Sequence, residues 1–378
     1  MDKLLDGVEV EWKKLGEISG LITTGKLNAN AMEEDGEYPF FTCNENPFKI
    51  NSFAFDLEAI IISGNGSQVG HLNYYNGKFN AYQRTYIIGN FIDGINIMYI
   101  YYYLNHTLRA YIVKNSRKGS VPYITMPMLE NFEIPVPHLE NPEKSLEIQA
   151  KIVRILDTFT ELTAELTAEL TARKKQYNYY REQLLTFEKG EVEWKPLGET
   201  LVRTKGTKIT AGQMKELHKI NAPLKIFAGG KTIAFVDFED IPKKDINREP
   251  SIIVKSRGNI EFEYYDKPFS HKNEMWSYHS KNKNINIKFV YYFLKINELY
   301  FQNIGSRMQM PQIATPDTDK FKIPVPPIEE QDRIVSILDK FDALTTSITE
   351  GLPREIELRQ KQYEYYRNML LSFPKEEV

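Results

Sequence analysis

Few residues of this chain are spaced as a catalytic site would require. Asn46-Pro47-Phe48 is the nearest approach to the Asn/Asp-Pro-Pro-aromatic loop that holds a flipped adenine in a methyltransferase, and it lacks the second proline. Gly64-Asn65-Gly66-Ser67 has neither the lysine of a P-loop nor the spacing of a dinucleotide fingerprint. The six histidines form no HExxH or other close pair, so no metal site is predicted. We interpret both short motifs as turns and expect no catalysis and no bound cofactor.

Polar side chains that could read DNA are more numerous. Base edges are read by Arg, Lys, Asn, Gln, Ser and Thr, and phosphates are held by Lys, Arg and the backbone amides of turns. Four pairs of polar loops contain such residues, and an ordinary solvated loop remains the alternative for each. The candidates are Thr24, Lys26, Asn65, Ser67, Gln68, Gln83, Arg84, Lys118 and Ser120 in the first half, and Thr207, Lys208, Lys255, Arg257, His271, Lys272, Arg307 and Gln309 in the second.

Local charge supports this interpretation better than net charge, which is only -3. Residues 105–129 hold four basic side chains and no acid, and residues 267–288 hold five lysines and one acid. The acids gather instead around two long helical segments. An ordinary solvated surface remains the alternative, but basic globules and acidic helices in one chain predict different partners for the two parts.

Other bulk features exclude several classes of protein. The single cysteine, Cys43, excludes an internal disulfide and a cysteine-based zinc cluster. No apolar run approaches the roughly 18 residues of a membrane span. The first residues show no apolar signal region, so we expect a cytoplasmic protein without a membrane partner.

The segments that position these loops occur twice in the sequence. Four blocks recur in the same order, which chance does not produce. Val10–Glu17 returns as Val192–Glu199, Ile134–Pro137 as Ile323–Pro326, Gln149–Thr163 as Gln331–Thr345, and Lys175–Arg181 as Lys361–Arg367. Each half therefore has a variable globule, an Ile-Pro-Val-Pro exit and a long helix.

This plan predicts an α+β protein. The globules carry short β-rich runs separated by Gly, Asn, Asp and Pro, which indicates a mixed α/β fold with an irregular sheet. We predict two pseudo-symmetric globules joined by two long antiparallel helices. The predicted bounds are 1–138 for the first globule, 139–188 for the first helix, 189–326 for the second globule and 327–378 for the second helix.

The helical segments carry one-sided apolar stripes that must be covered. Helices of ~40 residues span ~60 Å and cannot bury such stripes within one small globule, so they are expected to pair. The stripe residues are Ile152, Ile155, Phe159 and Leu162 in the first helix, and Ile334, Ile337, Phe341 and Leu344 in the second. Gly351-Leu352-Pro353 predicts a kink in the second.

The first helix also contains a tandem tetrapeptide repeat, Thr-Ala-Glu-Leu, at Thr163–Leu166 and Thr167–Leu170. Four helical residues turn ~400°, so one such unit displaces the apolar face by only ~40° and adds ~6 Å. The repeat is either a helix-forming filler or a ruler between the globules.

Two like halves in one chain form an internal pseudo-dimer. Symmetric dimers read palindromic DNA with two identical modules. Two modules with the same fold but different surfaces would read two different half-sites, separated by unread base pairs.

The sequence resembles the specificity subunits of type I restriction-modification systems, and within them the type IC branch. The resemblance spans the chain and rests on Leu4–Trp12, on the Thr-Ala-Glu-Leu repeats leading into Arg173–Arg181, and on Ile348–Tyr363. It implies that the globules are target recognition domains and that the helices bind two methyltransferase subunits. Those subunits would carry S-adenosylmethionine and methylate adenine, and a restriction subunit using ATP and Mg could join them.

The repeated Lys-Gln-Tyr-x-Tyr-Tyr-Arg motif predicts where those methyltransferase subunits bind. Pairing of the helices would explain one aromatic stripe but not the accompanying repeated cations. The candidate interface residues are Lys175, Tyr179, Arg181, Lys361, Tyr365 and Arg367. Two alternatives remain open at this point: the specificity chain of another, type II-like modification system, and a coiled-coil scaffold that binds no DNA.

Overall fold

The computed structural model describes residues 8–115, 122–188, 190–230, 232–306 and 310–373. The chain forms two compact units. Unit 1 comprises Met1–Thr167 and Glu355–Val378, and unit 2 comprises Ala168–Arg354. Both boundaries fall inside long helices, so each unit contains one globule together with parts of both helical segments.

The first half of the chain forms eight strands and four α-helices among its described residues. In chain order these are β1 Val10–Lys14, α1 Leu15–Ile18, β2 Ser19–Thr24, β3 Tyr38–Phe41, β4 Phe48–Ile50, β5 Phe55–Ser63, β6 Leu72–Ala81, β7 Thr85–Phe91, α2 Ile97–Asn115, α3 Met126–Glu130, β8 Glu133–Pro137 and α4 Pro142–Leu184. A short 3-10 helix covers Ala29–Ala31. Six strands form one sheet in the order β2-β7-β5-β6-β3-β4, with β3 parallel to β6.

The second half repeats this plan with smaller sheets. Its elements are β9 Glu193–Pro196, α5 Leu197–Thr200, β10 Val202–Lys205, α6 Ala211–Leu217, β11 Leu224–Phe227, β12 Ile233–Val236, β13 Ser251–Lys255, β14 Glu261–Tyr265, β15 Phe269–His271, β16 Trp276–His279, α7 Ile287–Ile296, α8 Glu298–Gly305, α9 Thr315–Asp319, β17 Lys322–Val325, α10 Ile328–Thr346 and α11 Gly351–Leu371. The sheets are β10-β16-β13-β14 and β12-β11-β15, with β11 parallel to β15.

The repeated blocks at the entry and exit of each globule pair with each other. β1 and β8 form an antiparallel ribbon with Trp12 opposite Pro135, and β9 and β17 form another with Trp194 opposite Pro324. The Trp12 ring meets Tyr103 edge-on at 6.5 Å. Each ribbon therefore closes its globule at the point where the helical segment begins.

The apolar stripes of the helices serve two purposes. In unit 1, Ile152 is buried in one cluster with Ile60 of the sheet and Leu370 of α11. Phe159 further along α4 stacks on Tyr366 at 5.2 Å, so α4 and α11 run antiparallel there. The N-terminal part of the stripe thus anchors the helix to its globule, and the next turns pair it with the other helical segment.

Unit 2 uses the corresponding stripe in the same way. Ile334 is buried with Leu185 and Phe289, and Phe341 stacks on Tyr177 at 5.9 Å. Leu185, directly after the end of α4, lies near Ile334, whereas the earlier Tyr177 contacts the later Phe341. The two helices are therefore antiparallel here as well. Among the other stripe residues, Ile155, Leu162, Ile337 and Leu344 are half-buried.

A buried glutamine locks each helical segment to its globule. Gln149 accepts a hydrogen bond from Asn96 N at 2.8 Å and donates to Gly94 O at 2.7 Å. Gln331 accepts from Asn286 N at 2.9 Å and donates to Pro326 O at 2.7 Å. Both side chains are fully buried, which explains why the repeated block begins with glutamine.

A repeated aspartate completes the attachment. The Tyr102 hydroxyl donates to Asp157 at 2.5 Å, and the Tyr292 hydroxyl donates to Asp339 at 2.5 Å. Burial, and then the neighbouring carboxylate, raise the pKa of both tyrosines well above the usual range. The tyrosines therefore stay protonated as donors.

Replacing the glutamine should destabilise its unit. We expect Gln331→Leu to lower the free energy of unfolding by about 2–4 kcal/mol, because Asn286 N and Pro326 O would be left buried without a partner. Urea unfolding of the full chain measures this. Gln183→Leu, at an exposed position of the same unit, is the control. Equal stability of the two variants would contradict the assignment.

The second helical segment is broken at residues 347–350, rather than kinked at Gly351-Leu352-Pro353 as predicted. α4 is continuous over 43 residues, but α10 ends at Thr346 and α11 begins at Gly351. Ser347 Oγ accepts from Glu350 N at 3.2 Å, and Gly351 has φ +77°. A Cβ at Gly351 would overlap Ala343 O. Pro353 lies in the first turn of α11, where the missing N–H has no cost.

Candidate nucleic-acid interface

Three predicted loops of unit 1 come together at one edge of its sheet. Gly25 N donates to Thr85 O at 3.2 Å, Gln83 N to Leu27 O at 2.9 Å, and Gly64 N to Arg84 O at 2.9 Å. We call residues 24–27, 41–44, 64–68 and 82–84 rim 1. Loops far apart in sequence therefore form one continuous surface.

Unit 2 builds an equivalent surface from its own loops. Thr207 N donates to His271 O at 2.7 Å, Lys272 N to Phe227 O at 2.9 Å, and Ser256 Oγ to Glu274 O at 2.8 Å. We call residues 206–208, 227–230, 256–259 and 271–274 rim 2. The four loop pairs that make up the two rims occur in the same chain order.

The close approach of the first and last loops requires glycine in both rims. A Cβ on Gly25 would overlap Ala81 O, and one on Gly206 would overlap Lys272 O. Any side chain there would push the loops apart. The same requirement in both units supports a shared rim architecture.

Rim 1 presents free positive charge. Lys26 and Arg84 are exposed and make no ion pair with any described residue. Gln83, Ser67 and Gln68 are exposed beside them, and Thr24 and Asn65 are half-buried. Cations next to amides and hydroxyls suit both phosphate and base contacts.

Fewer of the predicted DNA-binding residues are exposed on rim 2 than on rim 1. Lys208 and Arg257 are exposed, and neither has an ion pair within the described ranges. Lys272 is half-buried and pairs with Glu274 at 2.7 Å. Two cations therefore remain available on each rim.

Three predicted residues of the second half are buried rather than exposed on the surface of rim 2. Lys255 is only 8% exposed and contacts Glu261 and Glu263 at 2.5 and 2.8 Å. Thr207 is buried, and so is His271, whose pKa burial lowers. Their environment favours a structural role, because each is hydrogen-bonded or paired inside its own unit. Lys118, Ser120, Arg307 and Gln309 lie outside the described residues.

Sequence reasoning missed one loop in each rim. Tyr82 N donates to Phe41 O at 2.9 Å, which brings the turn with Cys43 and the exposed Asn44 to rim 1. Cys43 Sγ lies 3.5 Å from Arg84 O. In rim 2 the corresponding turn begins at Ala228. The sequence did contain a signal for these two loops. Each follows a short apolar run, Tyr38–Phe41 or Leu224–Phe227, and consists of small or polar residues.

The predicted docking residues form a second feature, on the helices. Tyr179 and Tyr365 are 57% and 65% exposed, and each meets the next tyrosine edge-on at 5.4 Å. The Arg181 guanidinium lies over Tyr177 at 5.2 Å, and that of Arg367 lies over Tyr363 at 5.5 Å. We call 175–181 and 361–367 the helix patches.

The basic residues of the helix patches differ in whether they form an ion pair. Lys175 is exposed, and Lys361 pairs with Glu357 at 2.6 Å. Neither Arg181 nor Arg367 forms an ion pair with a described carboxylate. The same exposed aromatic pair beside an arginine therefore occurs once in each unit.

The part of the chain that the structure describes offers neither a metal site nor a membrane-spanning helix. Within the described ranges, no group of three or more His, Cys, Asp or Glu side chains could hold a metal ion. No helix among the described residues is long and apolar enough to cross a membrane.

Comparison with known proteins agrees with this architecture. The family model of the type I restriction modification DNA specificity domain matches twice, at residues 7–173 and 202–358. The chain is 35% identical to the specificity subunit of the type I restriction enzyme EcoR124I/EcoR124II of Escherichia coli, covering 100% of this chain and 98% of that one. A putative type I specificity subunit of Haemophilus influenzae is 30% identical, covering 99% and 98%.

Solved structures give the same fold. The type I restriction-modification S subunit from M. genitalium superposes with a TM-score of 0.64 at 16% identity, covering 98% of both chains. A chain from a study of complex assembly and conformational transition of the type I R-M system has a TM-score of 0.58 at 13% identity, covering 96% and 97%. With two family domains and a relative that is 35% identical over 98% of its length, this chain belongs to the family of type I restriction-modification specificity subunits.

Proposed function

We propose that this subunit reads an interrupted DNA target, with rim 1 contacting one half-site and rim 2 the other. The observation that carries the proposal is the rim built twice from four loops in the same chain order, with different side chains on the two rims. Two modules of one fold with different surfaces suit two different half-sites. The work of this chain is recognition, and its family supplies the DNA-reading subunit rather than the catalytic ones.

The rims offer the chemistry that such recognition needs. Lys26 and Arg84 in rim 1, and Lys208 and Arg257 in rim 2, are exposed cations suited to phosphates or guanine edges. Gln83 and Ser67 add polar groups for base edges. The affinity should fall with rising salt, because each phosphate contact releases counterions.

The helix patches are the proposed docking sites for two methyltransferase subunits, one on each patch. Exposed tyrosines and arginines are the residues that most often dominate protein interfaces. The chemistry belongs to these partners. S-adenosylmethionine is assigned to the methyltransferase subunits, and ATP and Mg²⁺ to a restriction subunit that joins them. The proposed place of action is the cytoplasm, where the DNA lies.

Removing one helix patch should remove one methyltransferase. We expect the double variant Tyr365→Ala with Arg367→Ala to weaken that contact by about 30-fold or more, which is the range of interface hot spots. Native mass measurement should then show one methyltransferase per chain instead of two. Because Tyr365 is 65% exposed, the fold of unit 1 should survive.

Two controls make this result specific. Glu364→Ala alters the exposed residue at the variable position of the motif, which is Asn178 in the other patch, and should leave the stoichiometry unchanged. The matching double variant at Tyr179 and Arg181 should remove the other methyltransferase. Retention of both methyltransferases by both double variants would exclude the helix patches as docking sites.

The function itself is tested by methylome sequencing of cells with and without this gene. We expect an interrupted adenine motif to be modified only when the chain is present. Modification that persists without it would refute the proposed function.

A further inference from the structure

A projecting glycine turn occurs at the same place in both rims. Gly66 has φ +82° and Gly258 has φ +74°, the left-handed region that favours glycine. A Cβ built on either glycine would meet no atom within 4 Å. Each turn tip therefore projects away from its own fold.

The two turns occupy equivalent positions in their units. Gly64 O accepts a hydrogen bond from Ile124 N at 2.9 Å, and Ser256 O accepts one from Ile313 N at 3.0 Å. The next residue is Asn65 in unit 1 and Arg257 in unit 2, and each directly precedes the left-handed glycine. These two side chains are therefore structural counterparts.

Neither side chain is engaged within its unit. Asn65 is half-buried and Arg257 is exposed. Among the described residues neither has a side-chain hydrogen bond or an ion pair. Lys255, two residues before Arg257, is held by two glutamates. The backbone of the turn is fixed, since Gly258 N donates to Pro311 O at 2.8 Å. A side chain without partners on a fixed turn is suited to an external ligand.

The chemistry of the two side chains differs in a way that matters for DNA. An asparagine amide pairs in bidentate fashion with N6 and N7 of adenine, whereas an arginine guanidinium pairs with O6 and N7 of guanine. We propose that Asn65 and Arg257 are equivalent base-reading residues, Asn65 selecting an A·T pair in one half-site and Arg257 a G·C pair in the other. This inference rests on the proposed function, in which each rim reads one half-site.

Exchanging the two side chains tests the assignment. The full chain is co-expressed with its methyltransferase subunits, and the methylome is sequenced for Asn65→Arg and for Arg257→Asn. We expect each variant to change the preference at one base pair of one half-site, by about 5- to 150-fold, the discrimination that one bidentate contact supplies. The other half-site should stay unchanged.

Control variants separate base reading from simple charge. Asn76→Arg adds a cation on an exposed strand residue away from the turn, and Lys283→Asn removes an exposed cation in the loop between β16 and α7. Neither should change the target. An unchanged target in both exchange variants, or a uniform weakening across all sequences, would overturn the inference and leave the proposed function intact. Absence of any chain-dependent modification with the wild-type protein would overturn both.

Discussion

Exchanging residues 20–133 for the matching segment of another specificity subunit should replace one half-site completely and leave the other unchanged. The segment runs from β2 to the first residue of β8 and contains all of rim 1. The β1–β8 ribbon and the buried Gln149 would still attach the new globule to α4. Methylome sequencing of the exchanged strain reads both half-sites at once.

The reciprocal exchange provides the control. Replacing residues 202–321, between α5 and β17, should change only the second half-site. The spacer between the half-sites should be the same in both strains, since α4 is untouched. If either exchange altered both half-sites together, independent reading by the two rims would be wrong.

Inserting one more Thr-Ala-Glu-Leu after Leu170 should lengthen the unread spacer by one base pair. Every residue from 160 to 176 is exposed or half-buried, and none belongs to a buried core cluster. The insertion adds ~6 Å with a ~40° rotation, against ~3.4 Å for each base pair along a DNA strand. Two base pairs is thus the upper limit, and tilt, together with the break at residues 347–350, should absorb part of the length. Methylome sequencing measures the spacer.

Two further changes to α4 isolate the effect of length. Inserting only Thr-Ala rotates the following residues by ~200°, which would turn Tyr177 away from Phe341 and should abolish modification. Replacing Thr167–Leu170 with Ala-Ala-Glu-Leu keeps the length and should keep the spacer. A fully active insertion strain with its original spacer would show that the repeat is only a filler.

Features carried by neighbouring residues were predictable from the sequence. The twofold repeat of four blocks is visible in the sequence itself. The stripe from Ile152 to Phe159 follows from spacings of three and four residues, and the strand around Ile60 from a short apolar run bounded by turn residues. The glycines that punctuate the loops also identified most of the rim. A repeated Gln149 and Asp157 inside a repeated block were visible too, but their attachment to Asn96 and Tyr102 was not.

Tertiary structure decided which polar residues face outward. Lys255 belongs to a strand whose every residue is buried, and strand register brings Glu261 and Glu263 beside it. Residue type alone does not distinguish such a lysine from Lys26 at a rim. The parallel pairings of β3 with β6 and of β11 with β15 join segments about 40 residues apart. They bring the turns after β3 and β11 to the rims, because a contact between distant strands depends on how all the intervening chain packs.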